Sequence, residues 1–316
     1  MRVERLTPTR VYRFYRGGAL IGRLRGESEK DSSFPEDWVG SVTPASNPGR
    51  DEPDAGLSRI DGGRLLKDAI EEDPLAWLGK AHVSAFGRTT GLLVKLLDSA
   101  ERLPVHAHPN RAFARRHFKS PFGKTEAWIV IATRAERGQV WVGLREPVSP
   151  GEYLHWIETQ DVAALLAALN RIEVEEGDVI FVPAGVPHAI GAGLLIAELQ
   201  EPTDLSFVCE WDGFPIDPVD SHLGLGWDTA IEALDLNTHT PMRELPASAR
   251  NFFWADETAE ARGRFTILIA IAGEGTVNGD QARAGDCFAV PAAVRQLDVA
   301  PSLRILRCVA PDPLPT

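Results

Sequence analysis

One stretch of the chain occurs twice. "EEGDVIFVPAGVPH", from Glu175 to His188, is matched 108 positions later by "RAGDCFAVPAAVRQ", from Arg283 to Gln296. Each copy has Gly-Asp, four mostly apolar residues, and then Pro-Ala. A repeat at so long a spacing points to two copies of one β-rich unit, not to a short-period solenoid. Asp178 is kept in the second copy as Asp286, as suits a turn former. The histidine is not kept. Gln296 stands where His188 was, and Ala293 stands where Gly185 was. A second copy that retains the turn and loses the imidazole implies that His188 serves chemistry and not the fold.

A chain of 316 residues has room for two such units and a well-buried core. Hydrophobic residues make up 44% and charged ones 25%, which is globular composition, not disorder. The net charge of −12 argues against nucleic acid or an anionic membrane surface as partner. It does not exclude a phosphorylated small molecule, which a few local lysines and arginines could still bind. The first residues, "MRVERLTPTRVYRFYRGGALIG", interleave charges with apolar residues and do not read as a signal peptide. No apolar run reaches the ~18 residues of a membrane span. Cys209, Cys287 and Cys308 are scattered, with no CxxC pair. They read as buried structural thiols in a reduced cytoplasm. A monomer or a homodimer is expected.

Residues 1–60 are rich in turn formers and read as short strands and long loops wrapping something larger. "GGRLLKDAIEEDPLAWLGKA" has helical spacing, with Leu65, Leu66, Ile70 and Leu75 on one expected buried face and Pro74 ending or kinking it. "GLLVKLLDSAERLPVHAHP" reads as two buried strands, and "KTEAWIVIATR" and "GQVWVGLRE" as two more. "DVAALLAALNRIEV" reads as a helix capped by Asp161, and "FTILIAIAGEGTVNGD" as a hairpin turning at Asn278-Gly279. The expected organisation is a catalytic first unit over 1–236 and a second unit, without a metal site, over 237–316.

His106 and His108 stand two apart on an expected strand, so both side chains point to one face of a sheet. Gly177, Pro183, Gly185 and His188 carry the spacing of the second motif of the cupin superfamily. The chain therefore resembles an all-β double cupin, two jelly-roll-like barrels, with helical insertions. The usual Glu shortly after the HxH pair is missing, since Ala112 and Phe113 occupy those places. The next carboxylate on an expected strand is Glu126. Three imidazoles and a carboxylate suit a borderline divalent ion. Lys124, in "FGKT", is not a phosphate loop, because Phe118 sits where that pattern needs Gly.

The chain also resembles, over about residues 8–212, the short bacterial form of class I mannose-6-phosphate isomerase. The segments that carry the likeness are "VYRFYRGGALIGRL", "PEDWVGSV", "LLVKLLDSAERLPVHAHP", "GKTEAW" and "VPAGVPHAIGAGLLIAELQEPTDLSF". The resemblance implies a metal ion, Zn²⁺ before Fe, Mn or Ni, held by His106, His108, Glu126 and His188. It implies interconversion of mannose 6-phosphate and fructose 6-phosphate through an enediol. Glu198 and Lys124 would be catalytic, and Lys95 and Lys124 would contact the substrate. The chain departs from the family at three places. His106 replaces a more usual Gln and Pro104 a pocket Ser. Val208, ten residues after Glu198, replaces an Arg, for which Arg13, Arg16 and Arg145 are the candidate substitutes. Three alternatives remain open from the residues: isomerisation of another, unphosphorylated sugar; cupin oxygen or decarboxylation chemistry; and sugar binding without catalysis.

Overall fold

The expected strands appear in a computed structural model, which describes residues 1–47, 49–50 and 52–313. Two antiparallel sheets face each other in the first barrel. One has the order Phe207–Val208, His106–Ala107, His188–Ile190, Gly138–Leu144, Leu169–Val174. The other runs Arg10–Val11, Glu36–Val39, Leu93–Ser99, Leu194–Gln200, Glu126–Thr133, Val179–Val182. A third sheet, built around the long strand Thr266–Val277, forms the second unit.

The strands Leu93–Ser99 and Leu194–Gln200 are buried at every position. Their two faces serve different cores, which is why both read as near-continuous apolar runs. Val94, Leu96, Leu195, Ala197 and Leu199 pack outward against Ile267, Ile269, Leu306 and Cys308 of the third sheet. Leu97, Leu194 and Ile196 point into the first barrel with Trp128, Val140 and Val142. Lys95 and Glu198 share that interior direction by the two-residue period of a strand, so two charges are carried inside a barrel by apolar strands.

Several local expectations are corrected. "DVAALLAALNRIEV" is not one helix. Asp161 does cap a helix, accepting from the Ala164 N–H at 2.9 Å, but the helix stops at Ala168 and Leu169–Val174 is a strand. The alternating burial of Leu169, Ile172 and Val174 wins over helix propensity there, because the strand completes a sheet. The stretch around Pro74 breaks into three short helices, Leu66–Glu72, Pro74–Leu78 and Lys80–Phe86. Asp73 caps the second, Pro74 opens it, and Leu75 is 57% exposed while Trp77 and Leu78 are buried. Helices Ala19–Arg25 and Arg111–Phe118 have no counterpart in the sequence reading. The hairpin at Asn278-Gly279 is present, with φ of 48° and 88° at the two turn residues.

The expected division at 236/237 is crossed by the chain. Glu4–Leu6 pairs antiparallel with Cys287–Ala289 and forms an edge of the third sheet. A three-residue strand is too short for its pattern to show which sheet it joins, and only the open edge beside Cys287–Val290 decides that. Arg25 reinforces the crossing. It bonds Asp37 at 2.7 Å and donates to the Gly285 carbonyl at 2.6 Å.

Candidate active site

The "VHAH" strand and the strand after the Pro-Ala-Gly turn lie side by side, with His106 directly opposite His188. Glu126 arrives from the facing sheet, at the start of Glu126–Thr133. The turn that delivers His188 needs its glycine. Gly185 has φ of +93°, a Cβ there would meet the Ala233 carbonyl oxygen at 3.0 Å, and its N–H donates to the His108 carbonyl at 2.7 Å. That bond ties both halves of the imidazole set together.

Each imidazole spends its Nδ1 proton on a backbone carbonyl. His106 donates to Pro104 at 2.8 Å, His108 to Leu205 at 2.9 Å and His188 to Val186 at 2.8 Å. All three Nε2 atoms therefore present lone pairs, and they converge. The Nε2 atoms of His106 and His188 are 2.9 Å apart. Two bare acceptors that close need a positive centre between them. Burial, and then the neighbouring imidazoles, push His106 well below its usual pKa, and burial with Lys124 takes His108 to about 3, so both rings are neutral. Glu126 adds Oε1 at 3.3 Å from His188 Nε2 and Oε2 at 3.2 Å from His108 Nε2. Its Oε2 is buried without a hydrogen bond. An unsatisfied buried carboxylate oxygen beside three lone pairs is costly in a metal-free protein. This donor set fits a divalent metal ion.

A pocket of about 320 Å³ opens beside the cluster, lined by His106, Lys124, Lys95 and Glu198 among others. Lys95 and Glu198 are opposite each other across neighbouring strands, with Nζ 3.1 Å from Oε2. Burial pushes the Glu198 carboxyl up to about 6 against the opposing pull of Lys95. Lys124 places Nζ 3.0 Å from His108 Nε2 and 3.6 Å from Glu126 Oε2. Pro104, His106 and Val208 all line the pocket, so the three departures noted in the sequence fall together on its wall. Of the candidate substitutes for the absent Arg, only Arg13 reaches the pocket. Arg16 bonds the Asp31 carbonyl and Arg145 the Ala167 carbonyl, both on the exterior.

Two residues were not singled out from the sequence. Glu36 is a buried hub, accepting from Tyr15 Oη at 2.5 Å, Trp38 Nε1 at 2.7 Å and Arg13 Nε at 2.9 Å. The Glu-x-Trp spacing was the available signal, since i and i+2 on a strand share a face. Asp204 pairs with Arg13 at 3.0 Å, and nothing in its loop sequence announced that.

Two facing sheets, the Pro-Ala-Gly turn and a His₃–Glu cluster define a double-cupin protein with a metal-type centre. No family model matches the chain. The mannose-6-phosphate isomerase of Streptococcus mutans serotype c is 36% identical over 151 residues, 46% of each chain. The match thus spans about half the length of that relative. The putative mannose-6-phosphate isomerase YvyI of Bacillus subtilis is 28% identical over 274 residues, 85% of this chain and 76% of the relative. In structure, the mannose 6-phosphate isomerase of Bacillus subtilis superposes with a TM-score of 0.76 at 23% identity, covering 98% of this chain and 99% of that one. A zinc-bound mannose 6-phosphate isomerase gives 0.74 at 16% identity, covering 98% and 100%. The neighbours establish the fold. In sequence the chain is similar to mannose-6-phosphate isomerases, at 36% identity over about half its length and at 28% over most of it.

Proposed function

We propose that the protein is a metal-dependent aldose–ketose isomerase acting between a mannose-type aldose and a fructose-type ketose. The names of its relatives make mannose 6-phosphate and fructose 6-phosphate the first pair to assay. One observation carries the reading. Converging His106, His108 and His188, with Glu126 beside them, meet through His106 a pocket also lined by a buried carboxyl, Glu198, whose proton is exchangeable near neutral pH. Zn²⁺ is the ion proposed, and when bound it would polarise the sugar's carbonyl oxygen. Glu198 removes the proton from the carbon beside the carbonyl and returns it, through an enediol, to the former carbonyl carbon, while the proton of the adjacent hydroxyl passes to the former carbonyl oxygen. Lys95 holds Glu198 in place and faces the same pocket as the substrate. Lys124 lies beside the cluster, where its ammonium can hold a sugar oxygen as charge develops. A cytoplasmic location fits this reading, and among the described residues no helix is long and apolar enough to cross a membrane.

The test is a panel of free and phosphorylated mannose and fructose on zinc-loaded protein, read by appearance of the partner sugar. Isomerisation that disappears on chelation and returns with zinc supports the proposal. A protein that binds one zinc per chain and isomerises no member of the panel sinks it.

A further inference from the structure

The charge balance of the pocket points to a substrate narrower than the family name. We propose that this pocket selects an uncharged sugar, so that the free sugar is used at least as well as its 6-phosphate. The choice of reaction rests on the isomerase reading above; the selection against charge rests on the pocket alone.

A sugar phosphate brings about −2 at neutral pH, and its recognition calls for an unspent guanidinium or ammonium. Three cations line this pocket, and each already faces a carboxylate. Arg13 gives Nε to Glu36 at 2.9 Å and both terminal nitrogens to Asp204 at 3.1 and 3.0 Å. That bidentate fork is the geometry a phosphate would need. Lys95 sits 3.1 Å from Glu198 and 3.9 Å from Glu36. Lys124 is 3.6 Å from Glu126, at the cluster itself. A metal ion taking the His108 lone pair would free Lys124 from that nitrogen, but only toward the reacting end of the sugar. The mouth adds two exposed carboxylates, Asp217 and Asp220, which have no ion-pair partner among the described residues. Away from the metal cluster, a phosphate entering here meets two cations, Arg13 and Lys95, among five carboxylates, Glu36, Asp204, Glu198, Asp217 and Asp220.

An uncharged sugar meets the opposite. Carboxylate oxygens accept hydrogen bonds from hydroxyl groups, and a polyol offers several donors. Tyr12, Phe14 and Tyr15 also line the pocket and supply aromatic surface for its C–H face. The lining is thus complementary to a neutral ring or open chain.

Two measurements on zinc-loaded protein test this. First, kcat/KM is compared for mannose and mannose 6-phosphate at physiological and low salt. Equal or higher efficiency for mannose is expected; a preference for the phosphate of more than about tenfold overturns the proposal. Second, calorimetric affinities are compared for mannitol and mannitol 6-phosphate, neither of which can isomerise. Tighter binding of mannitol is expected. Tighter binding of the phosphate, or saturable binding of neither, overturns the proposal. If neither sugar is turned over, the isomerase reading fails while the polyol affinities still decide the selection. The double variant Asp217→Asn, Asp220→Asn should raise the phosphate-to-free affinity ratio by about threefold or more, most at low salt. An unchanged ratio removes the mouth carboxylates from the selection and overturns their assigned part.

Discussion

The two copies of the Gly-Asp turn begin identically and end differently. Gly177 and Gly285 have φ of 91° and 90°. Asp178 accepts from the Glu175 N–H and Asp286 from the Arg283 N–H, both at 2.9 Å, and each aspartate also meets an arginine at 2.7 Å, Arg243 and Arg5. After Pro-Ala they part. The N–H of Gly185 holds the strand of His108, whereas the N–H of Ala293 donates to Ala76 at 2.9 Å and docks a helix. His188 is fully buried beside His106 and Glu126, while Gln296 is exposed. The interior beyond the second turn is apolar, filled by Leu268, Phe288 and Ile305. One turn chemistry thus serves two ends. The backbone is decided by Gly-Asp and Pro-Ala, and the chemistry by what the facing strands present.

The largest expected break in this comparison is at the histidine. His188→Ala should take metal content from one ion per chain to below a tenth, by elemental analysis, whereas Gln296→Ala should leave it unchanged. Metal retained in the first variant would refute the ligand set. Next, Glu198→Gln should keep the metal and lower turnover by about 10²–10⁴-fold. An unaltered rate removes Glu198 from proton transfer.

The charged interior of the first barrel should also make it the acid-sensitive half. Burial pushes the Glu36 carboxyl up, but Arg13 and Lys95 win and hold it at about 2, against the usual 4.5. A pKa lowered by folding stabilises fully above 4.5 and loses that contribution as pH falls toward 2. The whole contribution is up to about 3 kcal/mol. Denaturant titrations between pH 5 and 2.5 should show this limb in the native protein and lack it in Glu36→Gln; matching curves would exclude Glu36 as its source.

Smaller effects test the turns. Gly185→Ala forces a Cβ onto the Ala233 carbonyl at positive φ and should cost about 1–3 kcal/mol in urea denaturation. Ala293→Gly, at an exposed position, should cost less than about 1 kcal/mol. Asp178→Ala and Asp286→Ala should each cost about 1 kcal/mol and match one another. Unequal costs would mean that one turn carries more than its shape.

Legibility followed the range of the interactions. The HxH pair, the Pro-Ala-Gly turn and the Asn278-Gly279 hairpin were readable because each depends on residues within a few positions, and period and φ preference act at that range. The strand Leu169–Val174 reads as helix from the sequence because six good helix formers, Ala163 to Ala168, precede it and the sheet edge that claims it lies elsewhere in the chain. Glu36 and Asp204 were missed as site residues for a related reason. Their importance is the partner Arg13, 23 and 191 positions away.

The sequence by itself determined the mostly-β, cupin-like architecture, the turn that delivers His188 and which residue types could hold a metal. Those follow from local backbone preference and side-chain chemistry. Only the tertiary structure decided that three Nε2 lone pairs converge with Glu126, that Lys95 is tied to Glu198, and that Arg13 is already spent on carboxylates. Charge pairing depends on distances of a few ångströms between strands far apart in the chain, and no count of lysines and arginines along a sequence shows which of them remain free.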